Sequence, residues 1–236
     1  MRLKTLASLP LFVLLTSCYY LQSTSIPIKT INYQQQHVDK ENKIARQLMV
    51  LLPGIGDRAN VFDKYGVIDA VHAAHPKMDV IAVDAHFKYY EARTIIERLR
   101  QDIIKPALDA GYSEIYLGGT SLGGFGSLLY LKQYPDDINK IFILAPYLGD
   151  AQDFNYLIEN TSAPKIPRDV NLWAWLTQLP DETKNKIYLA YGTNDKFAIP
   201  NSLLAKQLSP EHTVTQPGKH NWKTWAQLWP GLLAKR

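Results

Sequence analysis

The stretch Gly118-Gly119-Thr120-Ser121-Leu122-Gly123-Gly124 constrains this chain more than any other. The apolar run Ile115-Tyr116-Leu117 leads into it, and the helical pattern Ser127-Leu128-Leu129-Tyr130-Leu131 leads out. The segment therefore reads as a strand, a sharp turn and a helix. Within it, Gly119, Ser121 and Gly123 spell G-x-S-x-G, a turn in which a serine takes a strained backbone conformation and presents its hydroxyl above a sheet. A side chain at 119 or 123 would obstruct the turn, while Gly124 and Gly126 let the helix lie close to neighbouring strands. The five-residue pattern alone is weak, arising by chance in roughly one chain in ten of this length at ordinary glycine and serine usage. Its flanks give it weight. A phosphate-binding Walker loop fits less well, because Gly124 stands where the lysine should be.

Short aliphatic runs recur at 47–52, 78–83, 114–117, 140–144 and 186–190, separated by helical patterns. Such runs read as buried parallel strands. Their alternation with helices predicts an α/β architecture, a doubly wound, mostly parallel sheet with helices on both faces. Thr94-Ile95-Ile96-Glu97 matches a capping box ahead of Ile95, Leu99, Ile103 and Ala107 at helical spacing. Pro106 is expected to kink or divide that helix, and Tyr134-Pro135 to end the one after the serine turn. Near the carboxyl end, Trp222, Trp225, Leu228, Trp229 and Leu232 share one apolar face interrupted by Pro230, a stripe that reads as core packing. Residues 147–180 break the rhythm with Pro164, Pro167 and Pro180. They read as a short cap-like insertion in which Trp173 or Trp175 either lines a substrate pocket or is buried in a plain inter-strand helix.

A serine hydroxyl is a weak nucleophile until a base takes its proton, and a histidine base needs a carboxylate to fix its tautomer. Both residue types follow downstream. Asp195 lies in Tyr191-Gly192-Thr193-Asn194-Asp195 directly after the run 186–190, and His220 lies in Pro217-Gly218-Lys219-His220-Asn221-Trp222 before the last helical pattern. With these residues in the order Ser, Asp, His, the chain from about 47 to its end resembles the α/β-hydrolase superfamily. His220-Asn221-Trp222 with Trp225 is similar to its esterase D-like members. The resemblance implies Ser121 as nucleophile, His220 as base, Asp195 as acid, and cleavage of an acyl ester substrate without cofactor or metal. It also implies an oxyanion hole formed by the backbone N–H of Leu122 and that of Ile55, from Pro53-Gly54-Ile55-Gly56. Many members have His-Gly where this chain has Pro53-Gly54, which leaves Ile55 and Gly56 both open as the second donor.

Asp150 competes with Asp195 for the role of the acid, although the Gly-Thr-Asn-Asp turn favours Asp195. His37, His72, His75, His86 and His212 read as lone surface histidines, except that His86 follows the run 78–83 on the serine's side of the sheet and is a candidate pocket residue. His72 and His75 are three apart on a predicted helix without a third ligand, so no metal site is expected.

The amino-terminal Arg2 and Lys4, the apolar run 6–15 and the small residues before Cys18 read as an export signal, too short to cross a bilayer. Leu15-Thr16-Ser17-Cys18 resembles the bacterial lipobox, which implies cleavage before Cys18, lipidation of its thiol and attachment to the envelope membrane. Tyr19 in place of an aspartate points to the outer membrane of a two-membraned host. Cys18 is the chain's single cysteine, so no internal disulfide competes for it. The expected organisation is a signal peptide at 1–17, a polar tether at 18–42, including a possible edge strand, and one domain at 43–236. Loss of Arg2 and Lys4 leaves a net charge of about +2, and the scattered basic residues exclude a nucleic-acid partner.

Two other classes compete. Gly54-Ile55-Gly56-Asp57-Arg58-Ala59 matches the dinucleotide fingerprint G-x-G-x-x-G/A, with Asp84 placed as a ribose-binding acid, which would make the chain an oxidoreductase. The interval to Asp84 exceeds the usual spacing, however, and Ser121, Asp195 and His220 go unexplained. The other class is a non-catalytic binding protein on a hydrolase fold at the envelope.

Overall fold

The computed structural model describes residues 23–35, 46–149 and 172–235. The expected signal peptide, Cys18, Asp150 and most of the expected 147–180 insertion therefore lie outside the described residues. Seven strands form one sheet: β1 (Thr30–Tyr33), β2 (Arg46–Leu52), β3 (Met78–Val83), β4 (Tyr112–Thr120), β5 (Lys140–Leu144), β6 (Ile187–Gly192) and β7 (Thr213–Gln216). Their spatial order is β1-β3-β2-β4-β5-β6-β7. Every pairing is parallel except that of β1, which runs antiparallel to β3.

Burial explains which runs were recognisable. The central strands carry continuous aliphatic sequence because helices cover both faces of a parallel sheet; Leu48 to Leu52 are wholly buried, and every residue of β6 is buried. The edge strands β1 (TINY) and β7 (TVTQ) are short and mixed in polarity, since each pairs on one side only. The last helix, Trp222–Leu233, packs Trp225, Leu228, Trp229 and Leu232 into the core. Gly118 makes room for it, because a Cβ there would stand 3.2 Å from the Trp229 ring and 2.5 Å from Leu51 Cδ2.

Three local expectations change. The helix at Pro106 is divided, as expected, but by a change of winding rather than a break. Ahead of Pro106 the chain widens into a π turn at Arg100–Ile104 and continues as Lys105–Asp109; the extra residue in that turn accommodates the ring and the missing N–H. Pro230 lies inside the continuous helix Trp222–Leu233. Thr94 makes no cap with its side chain, because its hydroxyl donates to Tyr89 O instead. His212 is not on the surface: it is buried and stacked 4.2 Å from the Tyr188 ring.

All parallel strands point the same way, so their carboxyl ends share one edge. The chain leaves β2 to form β3 on one side and then crosses to form β4 on the other, which makes the β2/β4 junction a topological switch point, where α/β folds place their ligands.

Candidate active site

Ser121 follows β4 at that junction. Its backbone has φ +52° and ψ −113°, outside the regions an L-residue prefers, at a cost on the order of 1–3 kcal/mol. The surroundings hold it there. Ser121 N–H donates to Leu144 O at 2.9 Å, and Ser121 O accepts from Phe125 N at 3.1 Å and Tyr147 N at 3.0 Å. A Cβ on Gly119 would lie 2.4 Å from the Gly123 carbonyl, and one on Gly123 only 2.0 Å from Leu52 O, so the turn closes only around hydrogen atoms. Gly124 lies against Pro146, two residues past β5. Gly126 differs from expectation, since its close neighbour is the Tyr90 hydroxyl rather than a strand.

The structure brings the three sequence-predicted residues together. Ser121 Oγ is 2.9 Å from His220 Nε2, and His220 Nδ1 is 2.8 Å from Asp195 Oδ2 and 3.0 Å from Oδ1. The Asp195 side chain is fully buried, and Oδ1 also accepts the N–H of Phe197 at 2.8 Å. An ionised carboxylate only accepts, so Nδ1 carries the proton and Nε2 offers its lone pair to the serine hydroxyl.

The loops bearing Asp195 and His220 are locked to each other. Asn194 N–H donates to Gly218 O at 3.0 Å and Thr193 N–H to Gln216 O at 2.8 Å. A Cβ on Gly192 would come within 2.3 Å of Gly218 O. Asn221 caps the last helix by accepting Thr224 N–H, which fixes the chain just after His220. The imidazole sits between two perpendicular rings, Phe197 at 4.8 Å and Trp225 at 4.7 Å. Phe197 also meets Tyr147 at 5.2 Å, and Tyr147 meets Phe125, so an aromatic ledge borders the serine and histidine. The sequence offered no signal for this ledge, because its members come from the helix Leu122–Gln133 and two separate loops.

The two candidate oxyanion donors flank the serine. Leu122 opens the helix Leu122–Gln133, where N–H groups have no intrahelical acceptor and the helix dipole favours negative charge. On the other side, a Cβ on Gly54 would be 3.5 Å from Ser121 Cβ, so the loop after β2 runs beside the hydroxyl. Gly54 O accepts Asp57 N–H at 3.2 Å across a tight turn with Gly56 at φ +87°. Neither Ile55 N–H nor Gly56 N–H is used by that bond, and both stay open as the second donor.

The remaining candidates make other contacts. His86 is buried against Tyr89, and its Nδ1 has no hydrogen-bond partner among the described residues. Burial, reinforced by the Arg58 charge, holds its pKa below the ordinary histidine range. Trp173 donates its indole N–H to Leu148 O at 2.8 Å and packs in the core, bracing the segment that carries Tyr147, while Trp175 is partly buried beside it. Asp84, the ribose-binding acid of the dinucleotide alternative, is already engaged. Arg58 donates two hydrogen bonds to its carboxylate, and Ala59 N–H a third at 3.4 Å. Burial raises its carboxyl, but the Arg58 guanidinium outweighs that and holds it below the usual carboxylate range.

Comparison with known proteins places this geometry in context. The Esterase family model matches residues 20–235. No curated protein matches the chain. Similar solved structures include a ferulic acid esterase (TM-score 0.60, 15% identity, covering 87% of this chain and 90% of that one). S-formylglutathione hydrolase from Staphylococcus aureus aligns with TM-score 0.58 and 17% identity over 87% of this chain and 94% of its own. A lipase/esterase from Lactobacillus plantarum does so with TM-score 0.56 and 19% identity over 85% and 90%. Likeness at these identities shows a shared fold, the α/β-hydrolase fold.

Proposed function

Because this chain belongs to the Esterase family, we propose that it hydrolyses carboxylic esters through an acyl-enzyme on Ser121, with His220 as general base and Asp195 as its orienting acid. The observation that carries this reading is the unbroken chain of hydrogen bonds from the strained serine through the imidazole to a buried carboxylate.

The chemistry follows from the proton positions. His220 Nε2 takes the hydroxyl proton as Ser121 Oγ bonds to the ester carbonyl carbon, and the carbonyl π electrons move onto oxygen. Leu122 N–H and one N–H of the Gly54–Asp57 turn stabilise that oxyanion, each donor being worth about 3 to 4 kcal/mol in such sites. The oxyanion collapses, the carbon–alkoxide bond breaks, and Nε2–H protonates the departing alcohol. Water then gives a proton to Nε2 as its oxygen adds to the acyl carbon; the second collapse expels Ser121 Oγ, which takes the proton back. The buried Asp195 stabilises the imidazolium at each half-reaction without itself being protonated.

The proposal extends to location. Export by the segment 1–17, lipid attachment at Cys18 and a place on the bacterial envelope, on the outer membrane in a two-membraned host, are supported by the lipobox-like Leu15-Thr16-Ser17-Cys18.

The function test is turnover of a panel of p-nitrophenyl esters together with labelling by a fluorophosphonate. Ser121→Ala is expected to abolish labelling and cut kcat by about 10⁶ without unfolding. Normal hydrolysis by that variant overturns the assignment, and wild-type protein that folds but neither labels nor hydrolyses any ester is a binding protein.

A further inference from the structure

Asp57 and Trp222 are described residues that the mechanism above leaves unused. Trp222 Nε1–H donates to Asp57 Oδ2 at 2.8 Å across 165 positions of sequence. We propose that this hydrogen bond is a positioning link that holds the oxyanion-binding turn in register with the catalytic base. The proposal rests on the ester-hydrolysis reading.

Within the sheet, the two parts that it joins are separated by three strands. The turn follows β2 and the histidine loop follows β7, with β4, β5 and β6 between them. At one end of the link, Asp57 closes the Gly54–Asp57 turn through its own N–H. A Cβ on Gly54 would stand 3.4 Å from Asp57 Oδ2 and 3.5 Å from Ser121 Cβ, so carboxylate and nucleophile flank the same glycine. At the other end, Trp222 is two residues past His220 and is the first residue of the last helix. Its ring is fixed by packing: stacked on Tyr65 at 4.7 Å with 4° between planes, edge-on to Phe62 at 5.9 Å, and edge-on at 5.4 Å to Trp225, which itself abuts His220. Trp222 is buried. Movement of the turn is thereby referred to a rigid aromatic cluster that also seats the base.

The Asp57 carboxylate is partly buried, with no cation in hydrogen-bond contact among the described residues. Burial raises its pKa, outweighing the Trp222 N–H and the more distant Lys64 charge. A half-desolvated acid is a costly way to finish a surface turn, and the link gives it a purpose. Oxyanion donors act mainly in the transition state. Loosening the turn should therefore lower kcat and spare KM.

The test uses the full-length protein extracted in detergent and four variants: Trp222→Phe, which keeps a stacking ring but removes the donor; Asp57→Ala; Asp57→Asn, whose amide oxygen still accepts from the indole; and the Trp222→Phe/Asp57→Ala double variant. Ester kcat and KM, the fluorophosphonate labelling rate and the melting temperature are measured for each. Trp222→Phe and Asp57→Ala are expected to lower kcat and labelling rate about 10- to 100-fold with KM little changed. The double variant should fall no further than either single, and Asp57→Asn should stay near wild type. The link is overturned if a folded Trp222→Phe keeps wild-type kcat, if the two losses multiply, or if Asp57→Asn falls as far as Asp57→Ala. Should Trp222→Phe not fold, the comparison of Asp57→Ala with Asp57→Asn decides alone. Labelling separates this from failure of the ester reading: wild type that labels but cleaves no ester refutes the substrate class, while the labelling rates of the variants still test the link.

Discussion

Replacing Asp195 by asparagine exchanges one oxygen for an amino group and tests the proposed triad at its most buried point. Phe197 N–H donates to Oδ1 at 2.8 Å. In the variant that contact keeps the amide oxygen facing Phe197 and turns the NH₂ toward His220 Nδ1, 2.8 Å from the present Oδ2. The NH₂ can only donate, so Nδ1 must accept and the ring proton moves to Nε2, where it faces Ser121 Oγ and blocks proton transfer. Restoring the productive tautomer forfeits a hydrogen bond of about 1.5 kcal/mol. The buried carboxylate also loses its attraction for the imidazolium, about 4 kcal/mol for charge centres about 4 Å apart at an effective dielectric near 20. Together these come to about 5.5 kcal/mol, or a factor of roughly 10⁴ in kcat. The assay is ester turnover against pH, with melting temperature as the control for folding. Activity within tenfold of wild type would refute the reasoning and return Asp150 as the candidate acid.

Three further outcomes are expected. Gly123→Ala would place a Cβ 2.0 Å from the Leu52 carbonyl oxygen, and should cost about 3 kcal/mol or more, a drop of roughly 10 °C in Tm read by thermal melting. Because Arg58 holds Asp84 below its ordinary pKa, the stability from this pair is fully present above the unfolded carboxyl value of about 3.9 and is lost as pH falls through the lower folded value. The Tm difference between wild type and Asp84→Asn should therefore shrink under acid conditions, and a difference independent of pH down to the acid limit would contradict it. Cys18→Ala should release the protein from the membrane fraction and abolish incorporation of labelled fatty acid; retention with undiminished labelling would refute lipidation at that residue.

The strand framework was legible where burial on both faces forces aliphatic sequence, as in β2 and β6. It was faint at β7, whose Thr213-Val214-Thr215-Gln216 pairs only with β6 and owes its strand to that partner. The helix Ile95–Leu99 was visible from its apolar spacing, but the π turn after it was not, because its cause is the fit of Pro106 against the preceding turn. In the candidate site, Ser121, Asp195 and His220 could be named because each sits in a turn with its own glycine or asparagine signature after a strand. Phe197 and Tyr147 carry no such signature. Their meeting beside the imidazole depends on the loops after β5 and β6 lying side by side, which local sequence does not encode.

The Gly54–Ala59 stretch shows why one motif can support two chemistries. A dinucleotide site needs glycines so that backbone can approach a pyrophosphate, and a loop beside a reactive serine needs them so that backbone can approach an ester. The demand on the chain is the same: little steric bulk and N–H groups at the carboxyl end of the first long parallel strand. The neighbours distinguish the two. Gly54 is packed against Ser121 Cβ rather than facing the start of a long helix, since the helix that follows is only the single turn Val61–Lys64. Asp84, which a ribose would require with its oxygens free, accepts from Arg58 and Ala59 of the same loop. An acid that closes the loop internally stabilises a fixed backbone turn, and a fixed turn is what preorganised N–H donors require if they are to meet an oxyanion without reorganising.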